Sequence, residues 1–308
     1  MARSRFGRWL SKWFSVQQQR IVQETVTDLH AVWPLLDYQD LDRTQTRWVQ
    51  AALPIVERRN QESEALAARY VRDLRAIELP TATPARDLVP TEIDRPRVAV
   101  SLLATGPGTV KKKSRVSVRE PEAMLAGEAA STRVAQKIVA DGGRQTVARA
   151  VRLDEKASGW IRVTDGEPCF FCAMLVTRGP VYKGTSFDRS DPRFTGDGTA
   201  KVHDGCGCTI QALYSPWKPS EQEKVWNEMW KDSTKNKSGA DALKAFRQAY
   251  EDRTPPPNPL DELGDPRGFV PELEASLRDL LFEHLLDPSS PQVRWHMETI
   301  KRLKSGKF

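Results

Sequence analysis

All four cysteines of this 308-residue chain, and one of its four histidines, lie between residues 169 and 208. Cys169 and Cys172 form a Cys-x-x-Cys pair, while Cys206 and Cys208 form a Cys-x-Cys pair that follows shortly after His203. A Cys-x-x-Cys turn can direct two thiolates at one metal ion, and zinc takes sulfur and imidazole ligands in a four-coordinate tetrahedral site. We therefore predict a structural zinc site that draws its ligands from these five residues.

Other interpretations of the cysteines stay open at this point. The thiols could be small buried apolar groups, or they could form disulfides once the protein meets air. A thioredoxin-type redox pair fits poorly, because it needs a βαβ setting and no second pair of thiols. A zinc nucleobase deaminase needs a His-x-Glu upstream of its Pro-Cys-x-x-Cys, and His30, the one upstream histidine, is followed by Ala-Val instead. We expect no enzymatic activity.

Composition limits the class of protein further. The chain is 39% hydrophobic and 29% charged and has 21 prolines, which indicates helical arms and linkers around a modest globular centre. Its formal net charge of +6 gives a mild attraction to polyanions, well short of a dedicated nucleic-acid binder. No run approaches the roughly 20 apolar residues of a membrane span. The basic N-terminus lacks an apolar signal-peptide segment, so we expect synthesis in a reducing cytoplasm.

The elements upstream of the cysteines are predicted from periodicity and breaker residues. Apolar residues recur every three or four positions over residues 1–79, which predicts a helical N-terminal arm of two helices separated near Pro34. Its aromatic residues are either core or a basic docking surface for a large partner, nucleic acid or lipid. Residues 80–121 resemble a proline-rich linker with a strand-like run at 97–104 and a loop that carries Lys111–Lys113. That lysine cluster is either a solvated turn or a phosphate contact.

The remaining elements surround and follow the cysteines. Residues 122–214 are predicted to form the core that holds the Cys/His window, with a helix that ends at Gly142–Gly143, a second helical run and a strand from residue 159. Residues 215–254 predict a helical extension of two short helices, the first begun by a capping box of Ser220 and Glu223. Residues 255–308 predict a proline-rich break and one C-terminal helix. The predicted fold class is α+β, mostly α, with a small cysteine-stapled core.

The cysteine window also resembles a known family. The stretch "PCFFCAMLVTRGPVY" followed by "VHDGCGC" is similar to the C-terminal core of the Mu protein F-like minor capsid proteins of tailed bacteriophages, especially those of actinobacterial phages. The matching positions are Cys169, Cys172, Gly179, Tyr182, His203, Cys206 and Cys208. The later segment "SGADALKAFRQAYE" is also similar to that family, and the resemblance covers roughly residues 120–253.

This resemblance implies a structural minor capsid protein that is associated with the portal inside the head and assists head morphogenesis and DNA packaging or ejection. The implied partners are the portal protein and the capsid interior, with non-specific contact to packaged DNA. The implied location is the host cytoplasm during assembly and then the virion. The alternative function is a zinc-stapled nucleic-acid-binding module without catalytic activity.

Overall fold

The computed structural model describes residues 4–84, 87–164, 168–180, 206–254 and 264–306. This part of the chain is 72% helical and has one two-stranded sheet, which confirms the predicted mostly helical α+β class. The helices are α1 (Arg5–Val32), α2 (Leu41–Glu78), α3 (Arg95–Thr105), α4 (Pro107–Ser114), α5 (Glu120–Leu153), α6 (Phe170–Val176), α7 (Glu221–Ser233), α8 (Gly239–Glu251), α9 (Val270–Phe282) and α10 (Pro291–Lys304). The strands are β1 (Gly159–Val163) and β2 (Thr209–Leu213).

The three long helices α1, α2 and α5 pack together and carry an apolar cluster at each end. One cluster joins the end of α1 to α3, α4 and the first half of α5, around Trp33 and Trp48. The other joins the start of α1 to the sheet and the remaining helices, and it buries Phe6, Leu10 and Phe14 of α1. The structure therefore favours the core interpretation for these N-terminal aromatic residues.

Between the two clusters the long helices approach closely at Gly142 and Gly143. The predicted helix end at these glycines is wrong, because α5 runs through them without a break. A Cβ on Gly142 would lie 2.6 Å from Asn60 Nδ2 and 2.9 Å from the Asn60 carbonyl oxygen of α2, and one on Gly143 would lie 2.5 Å from Gln18 Nε2 of α1. Only glycine leaves room for this packing, which outweighs its weak helix propensity.

Polar side chains fill the same layer and pair with one another. Ser63 Oγ donates to Gln18 Oε1 at 2.7 Å, and the Gly143 N–H donates to Ser63 Oγ at 3.0 Å. Asn60 Nδ2 donates to a main-chain carbonyl of α5 at 2.8 Å. We call these five residues (Gln18, Asn60, Ser63, Gly142 and Gly143) the glycine contact. Because buried polar groups are costly unless they are hydrogen-bonded, these bonds favour one arrangement of the three helices.

The predicted linker is more ordered than its composition suggested. The strand-like run at 97–104 is part of α3, and the lysine loop is the short helix α4. The Asp94 side chain begins α3 by accepting a hydrogen bond from the Arg97 N–H, and Val98 and Leu102 are buried four residues apart. Val100 lies between them and is 66% exposed, whereas a strand would place residues 98, 100 and 102 on one face, so the burial pattern is that of a helix.

The small sheet and the C-terminal region follow the predictions in part. β1 is present where a strand was predicted, and it pairs antiparallel with β2 from Gly159 opposite Leu213 to Val163 opposite Thr209. The capping box at the start of α7 is present. The single predicted C-terminal helix is wrong, since α9 and α10 are separate helices that pack against each other. Much of the predicted proline-rich break, residues 255–263, lies outside the described residues.

A Gly142→Ala substitution tests the glycine contact. Although alanine is the better helix former, the added Cβ must displace the Asn60 backbone, so we expect the free energy of unfolding to fall by about 1–3 kcal/mol. Gly268→Ala is the matched control, because a Cβ there meets no heavy atom within 4 Å. Urea denaturation followed by circular dichroism measures both. A Gly142→Ala protein as stable as the control would show that the three helices do not need this contact.

Candidate metal centre

Three of the cysteines meet where α6 approaches the segment before β2. Cys172 lies in α6, and Cys206 and Cys208 precede Thr209, the first residue of β2. Their three sulfur atoms all lie within 4.8 Å of one another, and Cys172 Sγ is 3.4 Å from Cys206 Sγ. All three side chains are buried. We call Cys172, Cys206 and Cys208 the sulfur group.

The dimensions of the sulfur group suit a metal ion. A tetrahedral zinc ion with bonds of about 2.3 Å holds its ligand sulfurs roughly 3.8 Å apart, close to the separations seen here. The sulfurs of Cys172 and Cys206 are much farther apart than the roughly 2.05 Å of a disulfide bond, and all four cysteines are free. The sulfur group could therefore hold a metal ion with little rearrangement.

Of the other two predicted ligands, the structure describes only Cys169. Cys169 is exposed and caps the N-terminus of α6, where its Sγ accepts a hydrogen bond from the Cys172 N–H at 3.5 Å. It is adjacent to Cys172 but lies outside the set of mutually close sulfurs. His203 lies outside the described residues, as does Tyr182 of the motif. The structure thus brings together three of the five residues that the sequence indicated.

A buried arginine of α5 holds the segment that carries Cys206 and Cys208. Arg144 donates from Nε to the Cys208 carbonyl at 2.8 Å and from Nη2 to the Cys206 carbonyl at 2.5 Å. Its Nη1 donates to Asp141 Oδ1 at 2.8 Å, and Lys137 Nζ donates to Asp141 Oδ2 at the same distance. We call Lys137, Asp141 and Arg144 the charged row. All its members are buried on one face of α5.

The sequence interpretation missed the charged row, although a signal for it exists. Lys137, Asp141 and Arg144 are spaced four and then three residues apart, so they share one face of a helix. Such a row is usually a solvated face, and only the packing of α5 against the cysteine segment shows that it is buried.

The surroundings of the sulfur group favour a thiolate at Cys206. Hydrogen bonds from Cys172 and then Cys208 lower the pKa of Cys206, and the positive charges of Arg144 and Arg162 act in the same direction. Hydrogen bonding with Cys169 and then with Cys206 raises the pKa of Cys172. Since the thiolate is the form of cysteine that binds metals, a negative charge is already favoured at the centre of the group.

The groups around Arg144 in turn favour its charged form. Burial alone would lower the pKa of Arg144, but the nearby Asp141 carboxylate and the Cys206 sulfur outweigh it and raise that pKa. The guanidinium therefore stays charged beside the sulfur group and can serve as its counter-ion.

Comparison with protein families identifies the class of the chain. The family model of the VG15 protein matches residues 10–233, and the chain belongs to this family. VG15 is a viral or phage gene protein family, so membership indicates a phage protein. This agrees with the phage origin that the sequence resemblance implies. The matched region extends from α1 to the end of α7 and includes the sulfur group and the charged row.

No curated protein and no solved structure gives a significant match. Within the described residues, no helix has the length and apolar character needed to cross a membrane.

An Arg144→Met substitution tests the role of the charged row. It removes the bonds to two carbonyls and leaves Asp141 with less compensation, so we expect a loss of about 3–5 kcal/mol in the free energy of unfolding. Arg144→Lys keeps the charge and should lose less. The control is Arg20→Met, which breaks an exposed pair with Glu24 and should cost less than about 1 kcal/mol. Chemical denaturation compares the three variants, and equal losses for Arg144→Met and Arg20→Met would contradict the assigned role.

Proposed function

We propose that this phage protein is a structural minor capsid protein that is associated with the portal inside the head and assists head morphogenesis and DNA packaging or ejection. Membership of a viral family supports the phage context. The observation that carries the proposal is that Cys172, Cys206 and Cys208 lie close together. These cysteines are the residues on which the resemblance to the minor capsid family rests, and they meet at one point of the fold.

The proposed metal is zinc, in a structural role. Cys172, Cys206 and Cys208 would supply three thiolates, and the fourth ligand would be Cys169 or His203. A catalytic zinc site keeps a position open for water or substrate, whereas a structural site is closed by four protein ligands. The burial of all three cysteines supports the closed kind of site. We accordingly propose that the protein is not an enzyme.

The fold gives such a site a clear purpose. Within the described residues, β1 and β2 form a two-stranded sheet, and a sheet of this size has little stability of its own. A zinc ion bound by Cys172 of α6 and by the two cysteines before β2 would tie helix and strand together. The free energy of metal binding would then contribute directly to folding. A protein that is assembled into a phage particle needs a stable tertiary structure of this kind.

The proposed partners are the portal protein and the inner surface of the capsid, with non-specific contact to packaged DNA. The net charge of +6 and the exposed Lys112, Lys113 and Arg115 at the end of α4 support contact with phosphate. Under this proposal the chain is made in the host cytoplasm and then becomes part of the virion.

Zinc content tests the structural site. We expect about one zinc ion per chain in protein purified under reducing conditions, measured by inductively coupled plasma mass spectrometry. Cys206→Ser should lose the metal and unfold at a lower temperature, because one of the three close sulfurs is gone. Cys169→Ser and His203→Ala identify the fourth ligand as the one whose loss weakens zinc binding. If the wild-type protein folds without zinc, the proposed zinc site is ruled out. The three cysteines would then be interpreted as buried thiols.

Purified phage particles test the proposed location. Mass spectrometry should find the chain in DNA-filled heads and in empty heads, and crosslinking should join it to the portal protein. The nucleic-acid-binding alternative instead predicts a protein absent from particles that binds DNA with an affinity falling steeply as salt rises. Absence from both kinds of head would count against the minor capsid role, whatever the zinc content.

A further inference from the structure

The hairpin of α9 and α10 exposes apolar side chains where the chain turns from one helix to the other. We call residues 279–290, which run from the last turn of α9 to the residue before α10, the acidic tip. Within it Phe282 is 71% exposed and Leu285 is 81% exposed. The acidic tip has no lysine or arginine and carries three exposed carboxylates, those of Asp279, Glu283 and Asp287. It therefore combines an apolar surface with negative charge, in a chain whose net charge is +6.

The backbone conformation of Leu285 makes its exposure informative. Single exposed apolar residues are common on protein surfaces and need no special explanation. Leu285, however, has a φ of 50°, in the left-handed region that suits glycine and is unfavourable for leucine. It follows the end of α9, where the Leu286 N–H donates to the Leu280 carbonyl at 2.9 Å. A glycine would avoid both the strain and the exposed side chain, so the leucine indicates a surface that another molecule covers.

The segment between α4 and α5 has the opposite charge and also exposes an apolar side chain. We call residues 111–119 the basic turn, because they contain five basic residues and no carboxylate. Two of the five are paired with carboxylates from elsewhere in the chain. The other three, Lys112, Lys113 and Arg115, are exposed and make no ion pair within the described part of the chain. Val116 is 69% exposed beside them. The basic turn therefore complements the acidic tip in charge and shares its apolar character.

The two surfaces lie at opposite ends of α2, so they cannot meet within one chain. Lys111 Nζ of the basic turn is 2.6 Å from Asp42 Oδ1, in the first turn of α2. Gln292, which follows the acidic tip, donates from Nε2 to the carbonyl of Ala82, beyond the last residue of α2. Since α2 has 38 residues, it is roughly 57 Å long. A contact between the acidic tip and the basic turn therefore needs two chains.

We propose that the acidic tip of one chain docks on the basic turn of a second copy of the same chain. The contact covers the apolar side chains of both surfaces and brings the carboxylates of one to the cations of the other. Because the two surfaces differ, the contact is head-to-tail, and each chain can bind one copy at each end. Such a contact builds rings or longer assemblies and not a symmetric dimer. This inference does not rest on the zinc ion or on the proposed capsid role.

Sedimentation velocity of the full chain tests the proposal over about a hundredfold range of protein concentration. We expect the average mass to rise with concentration beyond that of two chains. The rise should become smaller at high salt, because salt screens the attraction between exposed charges. A mass that stops at two chains would overturn the head-to-tail contact. A monomer at every concentration would overturn the proposal and leave the basic turn to phosphate.

A Leu285→Gly substitution locates the contact at the acidic tip. It removes the apolar side chain and places glycine where the backbone favours it, so we expect the protein to fold normally. Self-association should weaken about tenfold or more, because the buried leucine side chain is lost from the contact. Val89→Gly is the matched control, since Val89 is also exposed and lies outside both surfaces. Unchanged association in Leu285→Gly protein would reject the acidic tip as the interface.

A mixture of two variants tests whether the contact joins unlike surfaces. The double variant Lys112→Glu, Lys113→Glu should also lose self-association, whereas Lys244→Glu, a change at an exposed lysine of α8, should keep it. Leu285→Gly protein retains the basic turn, and the double variant retains the acidic tip. Mixed at a concentration where neither associates alone, they should form a complex of one chain of each. Absence of this complex would contradict the head-to-tail contact.

Discussion

The close approach of α1, α2 and α5 at Gly142 and Gly143 is the constraint on which the rest of the structure depends. With no Cβ at either position, the backbone of α5 can pack against Asn60 of α2 and Gln18 of α1. The neighbouring residues in the helix are Asp141 and Arg144. Their placement is therefore fixed by the same contact, and Arg144 is directed at the carbonyls of Cys206 and Cys208. The glycine contact thus positions the charged row, and the charged row positions the cysteine segment.

The balance of buried charge explains why this arrangement suits a thiolate centre. In the charged row, Lys137 and Arg144 are positive and Asp141 is negative, and Arg162 adds a further buried positive charge near Cys206. A buried charge without compensation is strongly unfavourable. A thiolate at Cys206 would supply that compensation. Under the zinc proposal, Zn²⁺ with three thiolates and a neutral histidine also carries one net negative charge, so a negative charge would remain beside Arg144 when the metal binds.

Local patterns in the sequence predict a large part of the fold but not its packing. The periodic apolar residues of α1 and α2, the alternation in β1 and the capping box at Ser220 act within a few residues, and each predicts its element. The glycines misled the prediction for α5 because their usual preference for helix ends is overridden by a tertiary contact. The run at 97–104 was mistaken for a strand because its apolar residues are continuous, and the helix start at Asp94 was overlooked.

The same is true of the candidate site, where the sequence predicts the types of ligand but not how they pack. Ligand chemistry alone indicated that the two cysteine pairs would meet, since a soft metal ion needs several sulfurs at one point. That argument could not show which sulfurs come closest. Nor could it indicate Arg144, because its partners are main-chain carbonyls of Cys206 and Cys208, far away in the sequence. Contacts with the backbone leave no signature in residue types.

Strand β2 connects the sulfur group to α1. Cys208 directly precedes the strand, Thr209 begins it, and Gln211 lies two residues further along on the same face. Thr209 Oγ1 lies 2.8 Å from Ser15 Oγ of α1, so the face of β2 that carries Thr209 and Gln211 is held against that helix. Successive side chains of a strand alternate between its faces, and a shift of one residue would exchange them. Whatever holds Cys206 and Cys208 in place therefore also determines which face of β2 packs against α1.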